Sequence, residues 1–455
     1  MISLRKQCTG RWPGHFFQRL GGVVAGVMLA TAPLSYAHAA AAPVVRQPQV
    51  LDQSVEAFYR ARNGAPLWFS PKAGNASQQL VELLKTADLD GLQPTQYDTP
   101  ALEDALRSAW GGNQKAVAHA DQVLSEAFVA YARDLRRDPG IGIDYVDPGL
   151  RPVQPSPLAL LLSAASSPSL TSYVQSMGWM HPIYGELRQA LVNHNYSSDH
   201  EKDLLEVNLV RARVLPPGPN RYVLVNAAEQ RLYTYENRQA LDSMRVVVGK
   251  PKNPTPMMAA YIRFASLNPY WYVPPDLATE RIAPKVLKQG LGYLDELGYQ
   301  VMSDWSDNAQ ILDPKTVDWK GVAAGKVEVL IRQLPGAHNS MGRMKFMFPN
   351  AEGVYLHDNP ERELFEQAAR LYSGGCVRLE DAARLGRWLF GKDLVWEGAG
   401  TEERVPLDYP VPVYITYLTA MPSGSSIAYF DDVYGRDSSR LATLSDQGIL
   451  ASGSK

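Results

Sequence analysis

The chain has 455 residues, a formal net charge of −2 and 45% hydrophobic residues. This length and apolar content are typical of a globular protein with two or three domains. The near-zero net charge gives no electrostatic reason to expect nucleic acid or an anionic membrane surface as a partner.

The start of the chain has the three parts of a secretory signal peptide. Basic residues precede a short apolar run over 20–34, and the sequence AHA at 37–39 fits a small-x-small cleavage site. Because a membrane-spanning helix needs about 20 apolar residues, this run favours a cleaved signal over an anchor. We predict a signal peptide over 1–39, a flexible leader over 40–50 and an exported protein without stable membrane insertion.

Residues 51–215 predict a mainly helical domain. In LSEAFVAYARDL the apolar residues recur at helical spacing and form one stripe, namely Leu124, Phe128, Tyr131 and Leu135. Serine and aspartate ahead of LLEVNLVRARVL are typical helix caps. The segment PPGPN at 216–220 is rich in turn residues and marks the end of this domain.

After this boundary the sequence predicts short strands. RYVLVNAAEQRLYTYEN suggests two strands about a turn, AYIRFASLNPYWYVP is rich in β-branched and aromatic residues, and GVYLH ends on His357. Residues 276–325 differ, because they are partly helical and partly loop-rich. An insertion of that length is unusual without a function, so this segment is either a mobile cap over a cleft or plain decoration.

The end of this domain predicts two helices and a strand. RELFEQAARLY suggests a helix before a glycine-rich turn, and a second helix begins near Glu380 and ends at Gly391. PVPVYITYLTA suggests a last long strand. The whole prediction is an α+β protein with a helical scaffold over 51–215, a mostly β domain over 216–425 that contains the insertion, and a C-terminal extension over 426–455.

Cys376 is one of only two cysteines, and the other, Cys8, lies in the predicted signal peptide. Cysteines of exported proteins usually pair, so a single remaining thiol is either reactive or linked to another molecule. A buried, inert cysteine is the structural alternative. The neighbours Gly374, Gly375 and Arg378 do not suit a packed core and therefore favour a reactive group.

A cysteine nucleophile acts as its thiolate and needs a base or a positive neighbour. His357 ends a predicted strand shortly before the cysteine turn, which could bring imidazole and thiol together. The other histidines beyond the predicted signal are His119, His181, His194, His200 and His338. Asp358 could fix the imidazole tautomer through its backbone oxygen or its carboxylate. The N–H groups of Gly375 and Cys376 could stabilise an oxyanion.

Three more positions are candidates for substrate contacts. Arg378 could hold a carboxylate in a bidentate manner, or it could be an ordinary surface arginine. Gly374 has no side chain, so a substrate can approach its backbone closely. Tyr355 could line the cleft, or it could point into the core as one of the alternating residues of its strand.

The sequence LHDNPERELFEQAARLYSGGCVRLED resembles the signature of the L,D-transpeptidases, which have a YkuD-type catalytic domain. That signature is a histidine, a gap, and Ser/Thr-x-Gly-Cys before a hydrophobic residue; here it is His357, then Ser373 to Val377. Gly374 stands where the family often has histidine, and Arg378 where it often has asparagine. Both variants are similar to the large proteobacterial murein-crosslinking branch, as are IRQLPGAHNSMGRMKFMFPN and the scaffold-like VEAFYRARNGAPLWF.

The resemblance implies a mechanism. Cys376 would attack a stem peptide of the cell wall at the carbonyl of an L-centre, and His357 would act as general acid and base. The backbone oxygen of Asp358 would orient His357, and the N–H of Gly375 would belong to the oxyanion hole. An amine of a second stem would take the thioester. No metal or cofactor is required.

The resemblance also implies where the protein acts and on what. Its partners would be donor and acceptor stem peptides of peptidoglycan in the periplasm, and carbapenems would acylate the cysteine. The residues in contact with substrate would be Arg378, Ser373, Gly374 and Tyr355.

One departure from the family leaves the reaction open. Larger members insert a peptidoglycan-binding helical module, but too few residues separate His181 from Glu206 to contain it. Its absence favours a 1–3 cross-link, from L-Ala to diaminopimelate, over the usual 3–3 link between two diaminopimelates. An L,D-carboxypeptidase or exchange enzyme with the same nucleophile, an inactive wall-binding scaffold and a secreted redox or dimerising thiol are the alternatives.

Overall fold

The computed structural model describes residues 53–218, 220–306, 308–396, 402–438 and 441. The predicted signal peptide, the leader and Cys8 lie outside these residues. None of the helices in the described ranges is both long enough and apolar enough to cross a membrane.

The N-terminal domain is helical, as predicted. Within the described residues it has eight α-helices, numbered α1 to α8: Val55–Ala61, Ala76–Lys85, Thr99–Trp110, Gln114–Leu135, Pro157–Ser166, Leu170–Gln175, Pro182–Val192 and Asp199–Ala212. Short 3-10 turns cover Ala87–Asp90, Pro94–Tyr97 and Pro148–Leu150. The predicted stripe of α4 is confirmed, because Leu124, Phe128, Tyr131 and Leu135 are fully buried. At the start of α8 the Ser198 side chain accepts a hydrogen bond from Glu201 N, which satisfies one of the free amides of the first turn.

A buried ion pair lies at the centre of this domain. The carboxylate of Asp90 accepts from Arg188 Nε at 3.0 and 2.9 Å and from the hydroxyls of Tyr131 and Tyr184, each at 2.6 Å. Four donor contacts replace the water that the carboxylate lost on burial. This network ties α4 and α7 to the turn after α2.

The second domain is mostly β. Its strands, with one short strand from the helical domain, are numbered β1 to β16: Asp144–Tyr145, Tyr222–Asn226, Arg231–Glu236, Gln239–Gly249, Met258–Leu267, Trp271–Val273, Tyr299–Met302, Ile311–Leu312, Leu330–Gln333, Met344–Met347, Leu356–His357, Leu371–Ser373, Val377–Leu379, Glu403–Thr416, Ala420–Ser423 and Ser426–Tyr429. The main sheet has ten strands in the order β1-β5-β10-β11-β13-β4-β3-β2-β14, with β12 beside β4. Because β14 pairs with both β2 and β5, the sheet closes on itself. Its inner face holds a core that includes Phe346, Leu356 and Val377.

One predicted helix is wrong. The predicted helix over 362–372 is instead a 3-10 turn, Arg362–Glu366, followed by the start of the short strand β12, which runs parallel to β4. The backbone of Arg370 is fixed by Gln230 Oε1 and by Val248 N, so pairing with a distant strand overrides the local helical pattern. The second helix, α13, is present as predicted and covers Ala382–Phe390.

The insertion is a folded subdomain with its own core. It contains α9 to α12, which cover Pro275–Leu277, Ala283–Gln289, Gly292–Glu296 and Trp319–Ala323, together with a π-helical turn at Ala278–Ile282 and a 3-10 turn at Pro314–Thr316. A four-stranded sheet in the order β6-β9-β7-β8 supports these helices. We call the stretch from β6 to β9 the cap, because Tyr355, which directly precedes β11 of the main sheet, packs against its core.

Three sets of contacts join the helical and β domains. β1 pairs with β5 in parallel, His181 Nε2 lies 2.5 Å from the hydroxyl of Tyr222, and Asn208 of α8 bonds to Thr419. The segment after β16 returns to the same region, where Asp437 pairs with Arg211 at 2.5 Å. The helical domain is therefore a support for the outer face of the closed sheet.

Candidate active site

Polar side chains form a row across the outer face of three neighbouring strands. Lys345 of β10 lies opposite His357 of β11, and His357 lies opposite Arg378 of β13. Paired residues on neighbouring strands point to the same face of a sheet. Their chain neighbours Leu356 and Val377 point into the closed core. The row therefore lies on the outer face of the sheet, where Lys345 contacts the ring of Tyr272 in the cap and Arg378 lines a cavity together with cap residues.

The turn between β12 and β13 carries the cysteine. Ser373 is buried, and its Oγ donates to Cys376 O at 2.6 Å and accepts from Gly375 N at 3.1 Å. Gly375 has φ of +123°, a backbone conformation that favours glycine. The Ser373 hydroxyl, predicted to contact substrate, is thus used inside the turn. Gly374 is exposed, and Leu277 of the cap lies over it, 3.7 Å from where a Cβ would be.

Cys376 is half-buried. The backbone bond from Val377 N to Tyr355 O aligns the two segments, so that the side chains of Cys376 and Tyr355 lie next to each other on the same face. The Sγ of Cys376 lies 3.6 Å from Gly353 O. Burial raises the pKa of the Cys376 thiol, although hydrogen bonds from Tyr355 and the charge of Arg378 oppose this. Burial and the nearby cysteine likewise raise the pKa of the Tyr355 phenol. The resting thiol is therefore protonated at neutral pH.

His357 is buried, with 2% of its surface exposed, and its Nδ1 lies 2.7 Å from the backbone oxygen of Asp358. A carbonyl only accepts, so Nδ1 carries the proton and Nε2 has a free lone pair. Burial lowers the pKa of His357 to about 3, and the positive charges of Arg378 and Lys345 act in the same direction. The imidazole is thus neutral. The carboxylate of Asp358 is used elsewhere, by Arg343 N and Arg362.

The two N–H groups expected in an oxyanion hole differ. The N–H of Gly375 donates to Ser373 Oγ and is buried, so it is not available to a substrate in this arrangement. The N–H of Cys376 has no hydrogen-bond partner among the residues that the structure describes. Of the two groups, the Cys376 N–H is therefore the one that can donate a hydrogen bond to a developing oxyanion.

Arg378 lies in the wall of a cavity of about 390 Å³ between the cap and the main sheet. Its Nη1 donates to Glu361 at 2.8 Å and to Asn359 at 3.2 Å. Burial and the nearby Arg281 lower the pKa of Arg378, whereas Glu361 raises it. The charged side chains that line this cavity are Arg281, Lys285, Arg378, Glu361 and Glu363. Three cations against two carboxylates give the cavity a net positive charge, which suits an anionic group.

Both domains match models of known protein families. Residues 220–411 match the family model of the L,D-transpeptidase catalytic domain, YkuD, and residues 53–191 match a scaffold domain model. The chain carries an L,D-transpeptidase catalytic domain.

A relative from Haemophilus influenzae, provisionally described as an L,D-transpeptidase, is 27% identical over 396 residues, which cover 84% of this chain and 77% of the relative. Among solved structures, an L,D-transpeptidase from Mycobacterium smegmatis is 14% identical with a TM-score of 0.21, over 43% of this chain and 58% of that one. The Ldtfm-avibactam carbamoyl enzyme is 13% identical with a TM-score of 0.21, over 48% and 63%. The chain thus spans less than two thirds of either solved structure.

Sequence reasoning missed two residues of this transpeptidase domain. Lys345 is buried next to His357 and forms an ion pair with Glu402 at 3.0 Å. A single lysine in the apolar strand RMKFMFP was a usable signal for it. Thr255 is fully buried and bonds to the cysteine turn, and nothing in its local sequence indicated that contact.

Proposed function

We propose that this chain is an exported, periplasmic L,D-transpeptidase that cross-links peptidoglycan stem peptides, with Cys376 as nucleophile and His357 as general acid and base. The observation that carries the proposal is the register of β11 and β13. Because side chains alternate along a strand, this register brings His357, Arg378 and Cys376 to one face. The hydrogen bond to Asp358 O fixes the histidine tautomer.

The pKa directions support a mechanism that starts from a neutral pair. The Cys376 thiol transfers its proton to His357 Nε2 as the sulfur attacks the carbonyl carbon of the donor's L-centre. The carbonyl oxygen becomes an oxyanion opposite the Cys376 N–H. When the amide bond breaks, His357 gives the proton to the leaving amine. The acceptor amine then attacks the thioester, its proton passes through His357, and the thiol is restored.

The cavity below the cap supports a role in substrate binding. Stem peptides carry carboxylates, and the Arg378 guanidinium can form further hydrogen bonds besides those to Glu361 and Asn359. Arg281 and Lys285 add positive charge from the cap, while Glu361 and Glu363 suit an ammonium group. Arg378 is two strand residues, roughly 7 Å, from Cys376. A charged end of a stem peptide in this cavity would therefore lie close to the reacting bond.

The missing module supports a 1–3 cross-link as the product. α7 ends at Val192 and α8 begins at Asp199, so the helical domain continues without an inserted domain at this point. A 3–3 cross-link remains the alternative outcome, because the same nucleophile and base serve both reactions.

The test uses the purified chain from residue 40 with muropeptides of defined stem length, and mass spectrometry of the products. A 1–3 dimer supports the full proposal, and a 3–3 dimer supports the transpeptidase with the other linkage. Shortened or exchanged monomers without dimers favour the carboxypeptidase or exchange enzyme. Absence of any Cys376-dependent product, judged against Cys376→Ala, would favour a wall-binding scaffold.

A further inference from the structure

A buried threonine from a distant turn holds the peptide group next to the nucleophile. Thr255 follows β4 in the turn that leads to β5, and its side chain is completely buried. Its Oγ1 donates to Gly375 O at 2.9 Å and accepts from Gly249 N at 2.8 Å. The single hydroxyl proton is therefore committed to the Gly375 carbonyl.

The carbonyl of Gly375 and the N–H of Cys376 belong to one peptide group. No peptide bond in the described residues is cis, and in a planar trans peptide the C=O and N–H point in opposite directions. A bond that fixes the carbonyl oxygen on the Thr255 side therefore fixes the N–H on the opposite side. That N–H is the one without a protein partner among the described residues.

The peptide group between Gly375 and Cys376 needs an anchor because the backbone of Gly375 is flexible. Gly375, at φ of +123°, can adopt other backbone conformations at low cost, since it has no Cβ. Ser373 Oγ holds its N–H and Lys250 N holds the Ser373 carbonyl, but neither bond fixes the next peptide plane. The Thr255 hydroxyl is the contact that does so.

The backbone C=O and N–H of Thr255 are themselves hydrogen-bonded to side chains. Arg436 Nη2 donates to Thr255 O at 3.0 Å, and Thr255 N donates to the hydroxyl of Tyr434 at 3.4 Å. The same hydroxyl donates to Gly249 O at 2.5 Å. The segment after β16 thus braces the turn from behind.

We infer that Thr255 is a positioning residue that orients the Cys376 N–H as the oxyanion donor. The hydrogen bond also polarises the amide, which makes that N–H a stronger donor. The inference rests on the proposed function only in that Cys376 is the nucleophile. It does not depend on which cross-link is formed.

The experiment compares two reactions of the same thiol. Acylation by p-nitrophenyl acetate forms a thioester and releases p-nitrophenolate through an oxyanion, whereas alkylation by iodoacetamide displaces iodide without one. Thr255→Val should slow acylation by about 10- to 100-fold, which is less than the roughly 100- to 1000-fold cost of deleting an oxyanion donor, because the Cys376 N–H stays present and only loses its anchor. It should leave the alkylation rate within about twofold. Thr255→Ser, which keeps the hydroxyl, should restore acylation.

Intact mass confirms one adduct per chain, with Cys376→Ala as the blank. Equal losses in both reactions would mean that Thr255 only shapes the fold or the thiol, and would overturn the inference, as would acylation unchanged in Thr255→Val. Should Thr255→Val not fold, Tyr434→Phe loosens the same brace and should slow acylation more than alkylation; no difference would contradict the idea. Both reagents react with the thiol without peptidoglycan. A failure of the proposed transpeptidase reaction on muropeptides would therefore be distinguished from a failure of the Thr255 inference.

Discussion

Replacing His357 by glutamine should remove a large part of the protein's sensitivity to acid. In the folded chain the pKa of His357 is lowered to about 3 by burial and by Arg378 and Lys345, whereas an unfolded histidine titrates near ~6.5. Between these values the unfolded chain binds more protons. The stabilisation that the neutral, buried ring provides is therefore complete above about pH 6.5 and is lost as the pH falls toward 3.

The magnitude follows from these two pKa values. At pH 5 an unfolded histidine is mostly protonated and the folded one is not, which costs the folded state about 2 kcal/mol relative to neutral pH. The glutamine variant lacks this penalty. Its free energy of unfolding relative to wild type should therefore improve by about 2 kcal/mol between pH 7.5 and pH 5.

The assay is urea unfolding followed by tryptophan fluorescence at both pH values. His119→Gln is the matched control, because His119 is exposed in the helical domain, and it should show no such change. If His357→Gln and wild type lose stability in parallel, the folded chain does not hold His357 buried in its neutral form, and this reasoning is refuted. His181, whose pKa burial also lowers to about 3, should behave similarly.

Four further outcomes follow from the contacts described. Cys376→Ala should abolish product while leaving the unfolding midpoint within error, and residual turnover near wild type would refute the nucleophile. Since burial raises the pKa of the Cys376 thiol, iodoacetamide should alkylate it faster as the pH rises beyond 8.5; a rate already at plateau near pH 7 would contradict this. In turnover assays Arg281→Gln should raise KM about tenfold with kcat little changed. Lys288→Gln, at an exposed position of α10 in the same cap, should change neither. Asp90→Asn should destabilise the chain by about 3–5 kcal/mol in urea, because the Arg188 charge would stay buried without its partner; a loss below about 1 kcal/mol would argue against that pair.

The elements with strong local patterns were predictable. Leu124 and Phe128 recur at helical spacing, and α4 buries them. The α13 boundaries follow from Asp381, whose side chain caps the helix, and from Gly391 at φ of +69°. The helix predicted over 362–372 was wrong, because its helical composition is overridden by the pairing of β12 with β4, more than a hundred residues earlier in the chain.

The candidate site divides in the same way. Cys376, His357 and Arg378 could be selected from the sequence, since residue type and spacing near a glycine turn are local properties. The hydrogen-bond partners and protonation state of these groups could not be predicted. The turn occupies the Gly375 N–H and the Ser373 hydroxyl, and the neutral imidazole depends on burial beside Arg378 and Lys345.

The sequence by itself determined a helical domain followed by a β domain with an insertion, and it determined which side chains could do the chemistry. Only the tertiary structure decided that the insertion is a folded subdomain with its own core, and that Ser373 occupies the Gly375 N–H whereas the Cys376 N–H has no partner among the described residues. It also decided that Thr255 bonds to Gly375 across 120 residues of chain. Hydrogen bonds and pKa values depend on which groups meet in space and on how far water is excluded. Pairings between distant strands and turns determine which groups meet and how far water is excluded from them.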